Sequence, residues 1–110
     1  MIFVTGPLYA GKEEYICSAL GWSAEDFAVN AVRDVQTMVP CEDLNALAER
    51  LAQNRVVIAT EVGCGVVPVD PAERKWREDA GRLSCMLAAR AETVVRVCCG
   101  IPQLLKGEWP

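Results

Sequence analysis

Histidine is absent from the sequence, and with it go the commonest general base and any phosphohistidine-type intermediate. The six cysteines, Cys17, Cys41, Cys64, Cys85, Cys98 and Cys99, include no Cys-x-x-Cys pair. A zinc site is therefore not expected, and the cysteines read as small buried apolar residues of a reducing compartment. Basic charge is scarce as well. Eleven Lys and Arg stand against 15 Asp and Glu, a net charge of -4 with a pI near 4.8, which argues against a nucleic-acid partner because phosphate-backbone binding needs a basic patch. No apolar run approaches the ~20 residues of a membrane span. The N-terminus also lacks the basic, apolar and small-residue pattern of a signal peptide, so no membrane partner is expected and the cytoplasm is the expected compartment.

Apolar residues are plentiful, at 52% against 24% charged, the balance of a globular chain and not of a disordered one. With no internal repeat, low-complexity tract or linker, residues 1–110 read as a single domain. A domain of this size buries roughly two thirds of its unfolded surface.

The chain opens on Met1-Ile2-Phe3-Val4-Thr5, a short apolar β-rich run, and passes directly into Gly6-Pro7-Leu8-Tyr9-Ala10-Gly11-Lys12. The spacing from Gly6 to Gly11-Lys12 is that of a phosphate-binding loop, in which backbone N–H groups surround the phosphates and the lysine reaches the outer ones. A helix from near Gly11 to Leu20, capped by Gly21, would aim its positive end at the anion. Gly6 through Glu13 are thus candidate nucleotide-binding residues. Glu13 is a misfit, since the motif asks there for a hydroxyl that ligates magnesium. The competing reading is a plain glycine turn with Lys12 in solvent.

Between Trp22 and Met38 two readings compete. Ser23 with Asp26 could cap a helix, or Phe27-Ala28-Val29 could form a short strand before a helical turn carrying Asp34; the short strand is preferred. Leu44, Leu47, Ala48 and Leu51 predict an amphipathic helix over about Cys41 to Gln53. The unbroken run Val56 to Thr60 suits a parallel strand buried on both faces.

That strand delivers Glu61 to a glycine-punctuated turn, Val62-Gly63-Cys64-Gly65-Val66-Val67-Pro68. Asp70-Pro71-Ala72-Glu73 then starts a helix expected to reach Glu92. Trp76, Ala80, Leu83, Leu87 and Ala91 share one side, and Arg74, Arg77, Gly81, Ser84 and Cys85 form a stripe on the other. Glycine within a helix costs about 1 kcal/mol relative to alanine, so Gly81 suggests close packing or ligand approach. A last strand, Thr93 to Cys98, ends at Gly100-Ile101-Pro102, with Lys106 in a short tail. Strand, loop and helix recur without tight hairpin signals, so the expected architecture is a three-layer α/β fold around a parallel sheet.

Glu61-Val62-Gly63-x-Gly65-x-Val67-Pro68, followed by Arg74, Trp76-Arg77-Glu78, Gly81, Ala88, Ala91, Val94, Gly100, Pro102 and Lys106, resembles the bifunctional cobinamide kinase and cobinamide-phosphate guanylyltransferase family of cobalamin biosynthesis. The resemblance covers about the C-terminal half. Toward the N-terminus only Val4-Thr5-Gly6 and Gly11-Lys12 match. It implies a reduced P-loop nucleoside triphosphate hydrolase fold, ATP or GTP as cofactor, a corrinoid substrate and a homo-oligomer. The departures are specific. Members place Ser after the loop lysine, Asn before the glutamate and an Asn-Gln pair in the arginine helix, where this chain has Glu13, Thr60 and Ser84-Cys85. The family's guanylylated histidine has no counterpart, which excludes guanylyl transfer by that covalent route. Its aspartate-bearing strand is reduced to the Phe27 to Asp34 segment.

Two functions follow. In the first, a kinase-like protein holds the β- and γ-phosphates in the Gly6 to Lys12 loop, neutralises charge with Arg74 or Arg77, and uses Glu61 to orient or deprotonate a cobinamide-type hydroxyl. Magnesium, if used, would fall to Glu13, Asp34 or Glu61. In the second, a catalytically degenerate protein senses a nucleotide or corrinoid, or acts as a scaffold. A third reading makes Lys12 and the arginines surface charges of a structural module.

Overall fold

The structure, a computed structural model, describes residues 1–62 and 69–110; the glycine turn expected at residues 63–68 lies outside the described residues. The chain runs through β1 (Ile2–Gly6), α1 (Lys12–Leu20), α2 (Ala24–Asn30), β2 (Ala31–Val32) and a 3-10 turn (Val35–Met38). It continues through α3 (Leu44–Leu51), β3 (Val56–Thr60), α4 (Pro71–Arg90), β4 (Thr93–Cys98) and β5 (Ile101–Lys106). The strands form one sheet in the order β2-β3-β1-β4-β5. β1 lies parallel between β3 and β4, and β2 parallel to β3.

Alternation along the strands divides the core in two. Phe3, Val57, Ala59 and Val94 pack with Leu47, Leu51, Leu83 and Leu87 of α3 and α4. Val4, Val56, Ile58, Val95 and Val97 turn to the other face, against Ile16 of α1 and Phe27 of α2. Helices therefore cover both faces of the sheet. This is why the central strands read as continuous apolar runs. Each buried Val, Leu, Ile or Phe among them contributes about 1.5–3 kcal/mol, and the two layers of contacts hold β1 at the centre.

The helix ends follow local chemistry. α1 stops at Gly21, whose φ of 66° gives the left-handed cap that a side chain with Cβ rarely adopts. α4 starts with Pro71 in its first turn and the Asp70 carboxylate accepting from the Ala72 amide at 2.9 Å. Its apolar side buries Ala80, Leu83 and Leu87.

Four expectations are corrected. Phe27-Ala28-Val29 is helical, not a strand: the Ser23 hydroxyl accepts from the Asp26 amide at 3.1 Å and the Asp26 carboxylate accepts from the Ser23 amide at 3.0 Å, a capping box that outweighs β propensity. Phe27 is buried while Val29 is 81% exposed, and the strand comes only afterwards, at Ala31–Val32. The residues after Gly100 are not a loose tail. They form β5, antiparallel to β4, through a two-residue turn in which Cys99 and Gly100 both have positive φ, as a type I′ hairpin requires. Pro102 is tolerated because β5 is an edge strand. An antiparallel edge on an otherwise parallel sheet keeps the expected fold class. Of the described cysteines, Cys85 and Cys99 are exposed and Cys17, Cys41 and Cys98 half-buried, because their positions fall beside the packed faces and not within them. Gly81, finally, is exposed, and among the described residues a Cβ built there meets nothing within 4 Å, so close packing against them does not account for it.

Candidate functional site

β1 and β3 end side by side, with Gly6 opposite Thr60, and the Glu61 amide continues the ladder by donating to the Gly6 carbonyl at 2.8 Å. From these neighbouring ends the chain leaves toward opposite faces, to α1 after β1 and to α4 after β3. Such a divergence at the carboxyl ends of parallel strands opens a crevice where ligands bind in α/β folds. A cleft of about 260 Å³ lies here, lined by Leu8 to Glu14, Arg33, Asp34, Ile58 and Thr60.

The loop that forms one wall is held by its neighbours. A Cβ at Gly6 would lie 2.1 Å from the Val97 carbonyl oxygen, so only glycine lets β1 pass β4 this closely. The Ala10 carbonyl accepts from the Gly100 amide at 2.8 Å, which braces the loop against the β4–β5 turn. Tyr9, with φ of 58°, is 94% exposed at the mouth.

Lys12 does not project into solvent. It is only 8% exposed, and its Nζ donates to the Pro7 carbonyl at 2.7 Å, folding the ammonium back into the loop. Burial lowers its pKa from the ordinary value, while the carboxylates of Asp34, Glu61 and Glu14 act in the opposite direction. The ammonium is thus under-solvated, and an incoming anion would relieve that cost.

The opposite wall comes from the chain after β2. Arg33 stacks over the Phe27 ring, 5.3 Å from its centroid, and donates through Nη1 to Glu13 Oε2 at 2.9 Å. Asp34, with φ of 54°, precedes the 3-10 turn, and its carbonyl accepts from the Thr37 amide at 3.0 Å. Gln36 fastens that turn to both layers: its Oε1 accepts from the Thr60 amide and its carbonyl from the Trp76 indole, each at 2.9 Å.

Glu61 lies on the α4 side of the strand ends. Arg96 of β4 grips it twice, Nε to Oε1 at 2.6 Å and Nη2 to Oε2 at 3.0 Å. Arg96 is opposite Thr5, whose partner on β3 is Ala59, so the ion pair to Glu61, two residues further on, crosses the end of β1 obliquely. Arg74 is exposed and Arg77 half-buried on the early turns of α4. Neither is among the described residues that line the cleft. The structure therefore brings Gly11, Lys12, Glu13 and the loop residues Leu8, Tyr9 and Ala10 together, with Glu61 close enough to influence Lys12, and leaves Arg74 and Arg77 on the other side of the sheet. Arg33 and Arg96 were missed by sequence reasoning. Arg96 carried a signal, as a charge interrupting an apolar strand.

A phosphate loop asks for a hydroxyl after the lysine to hold magnesium. Here Glu13 is tied to Arg33 and Glu61 to Arg96, and among the described residues no three Asp, Glu, Cys or His side chains converge. The described residues do not fit that metal arrangement.

A three-layer α/β fold with a glycine loop and buried lysine at the end of its central strand defines a reduced protein of the P-loop nucleoside triphosphate hydrolase type. The chain belongs to the cobinamide kinase / cobinamide phosphate guanyltransferase family, which matches residues 16–105; the match begins beyond the loop. Similar proteins include the bifunctional adenosylcobalamin biosynthesis protein CobU of Escherichia coli, 33% identical over 85 residues that cover 77% of this chain and 42% of the relative. CobP of Pseudomonas aeruginosa is 38% identical over 53 residues, 48% of this chain and 31% of the relative. CobU of Salmonella typhimurium is 38% identical over 63 residues, 57% of this chain and 35% of the relative. The chain thus spans between about a third and two fifths of the length of these relatives. Among the described residues no helix is long and apolar enough to cross a membrane.

Proposed function

We propose that the chain binds ATP or GTP through Gly6 to Glu13 and serves cobalamin biosynthesis as a cobinamide kinase-like protein, with a cobinamide-type hydroxyl as phosphoryl acceptor. One observation carries the reading: a lysine 8% exposed, folded into a glycine loop at the start of a helix. On binding, the Lys12 ammonium would exchange the Pro7 carbonyl for a phosphate oxygen, and the amides of the loop and of the first turn of α1 would face the same anion. Glu61 would orient the acceptor, starting from a position in which Arg96 holds both of its carboxylate oxygens. Arg74 and Arg77 would have to act from the α4 side of the strand ends. Guanylyl transfer through histidine is not available to a chain without histidine.

The ion pairs that occupy Glu13 and Glu61 favour a second reading, a nucleotide- or corrinoid-binding sensor or scaffold without turnover. Self-association would suit either, since β5 leaves Ile101 and Leu105 exposed on the sheet edge, and sedimentation would measure it. Calorimetric titration with ATP and GTP, each with and without magnesium, separates these cases. Binding tighter than about 100 μM, roughly −5.5 kcal/mol, that is lost in Lys12→Ala supports the loop assignment. Unchanged affinity in Lys12→Ala would overturn it, and absence of binding to the wild type would direct the search to a scaffold partner. Turnover of cobinamide in the bound state distinguishes kinase from sensor.

A further inference from the structure

Resting on the nucleotide reading, we infer that Arg33 is a phosphate-binding residue of the cleft, parked on Glu13 in the free protein and turned to the outer phosphates when ligand enters. The cleft lining holds Lys12 and Arg33 against Glu13, Glu14 and Asp34, so its charge opposes a polyphosphate unless a cation is released toward it. Lys12 alone does not balance three carboxylates. Arg33 is the other cation of the lining, and its geometry suits that task.

Its guanidinium is positioned from below by the buried Phe27 ring, a contact that leaves the edge N–H groups directed sideways. Among the described residues its only hydrogen-bonded or ionic contact is the Nη1 donation to Glu13. That pair is exposed, at 57% for Arg33 and 39% for Glu13, and such pairs are worth at most a factor of a few. A charge-assisted guanidinium–phosphate contact is worth a factor of about ten or more. Exchange of Glu13 for phosphate is therefore downhill. It also puts a fixed cation beside the position where a metal-ligating hydroxyl would otherwise stand, so the site should take a polyphosphate without a divalent ion.

The test is titration of the full chain with inorganic tripolyphosphate and with ATP and GTP, in buffer containing EDTA, for the wild type, Arg33→Gln and Glu13→Gln. Circular dichroism confirms that each variant is folded. If Arg33 binds phosphate, Arg33→Gln weakens affinity about tenfold or more, whereas Glu13→Gln, by freeing Arg33 and removing an opposing charge, tightens it several-fold. Loss of affinity in both variants would make the ion pair a structural tether, and wild-type affinity in Arg33→Gln would remove Arg33 from the site; either overturns the inference while leaving the nucleotide reading intact. Tripolyphosphate bound with this opposed pattern, but neither nucleotide, would retain Arg33 and sink the nucleotide reading. A wild type that binds none of the three ligands without magnesium refutes the metal-free site, and the magnesium arms of the earlier titration then decide the nucleotide reading separately.

Discussion

Gly6→Ala isolates the closest approach in the fold. The added Cβ would lie 2.1 Å from the Val97 oxygen and 3.2 Å from its carbonyl carbon, where ordinary contact begins at 3.4 Å. The atom in the way is backbone of a paired central strand, so relief requires shifting β1 or β4 and not a rotamer change. Overpacking of this kind costs about 1–3 kcal/mol and sometimes more, and the position is at the upper end of that range. At about 4 °C per kcal/mol for a chain near this size, Gly6→Ala should lower Tm by about 12 °C. Gly81→Ala supplies the control, since both substitutions restrict the unfolded chain similarly. With an exposed helical site and none of the described residues within 4 Å of the new methyl, it should stabilise by about 0.5–1 kcal/mol. Thermal melts followed by circular dichroism at one scan rate compare the three proteins. A Gly6→Ala variant melting within about 2 °C of the wild type would refute the close approach on which the loop geometry depends.

Lys12 links stability to pH in a definite direction. Its folded pKa is lowered from 10.5, so between the lowered value and 10.5 the unfolded chain retains a proton that the native chain has released, and stability rises with pH in that window. Nucleotide affinity should move oppositely, falling as pH rises through the free protein's Lys12 pKa, which calorimetry on the wild type reads, while melts over the same pH range should find the rise in stability in the wild type and not in Lys12→Gln. Ser23→Ala removes one half of the α2 capping box and should cost about 1 kcal/mol, read as a shift in urea midpoint; an unchanged midpoint would mean that Phe27 burial alone fixes the helix.

Much of the architecture was legible because single residue patterns decide it. Val56 to Ala59 are buried without interruption, which is what an unbroken apolar run predicts for a central parallel strand. Phe27-Ala28-Val29 misled because β propensity was weighed above a cap lying just before it, although helical burial needs only Phe27 from that triplet. β5 was hidden for another reason: Cys99-Gly100 is not a common hairpin pair, and Pro102 looked like a terminator. At the site, the glycine loop and Lys12 announce themselves through spacing. Arg33 does not, because its importance comes from the fold bringing the end of β2 to the start of α1. Glu61 was visible, but the Arg96 grip on it depends on register across β1.

The central place of β1 also ties the cleft to distant parts of the chain. Ile2 faces Val56 on one side and Thr93 on the other, and the Ala10 carbonyl waits for the Gly100 amide. Closing such long chain segments is entropically slow. Until the β4–β5 turn has formed, the loop before α1 lacks that brace. The shape of the loop therefore depends on a turn far along the chain, and a change in the β4–β5 hairpin can loosen it without touching it.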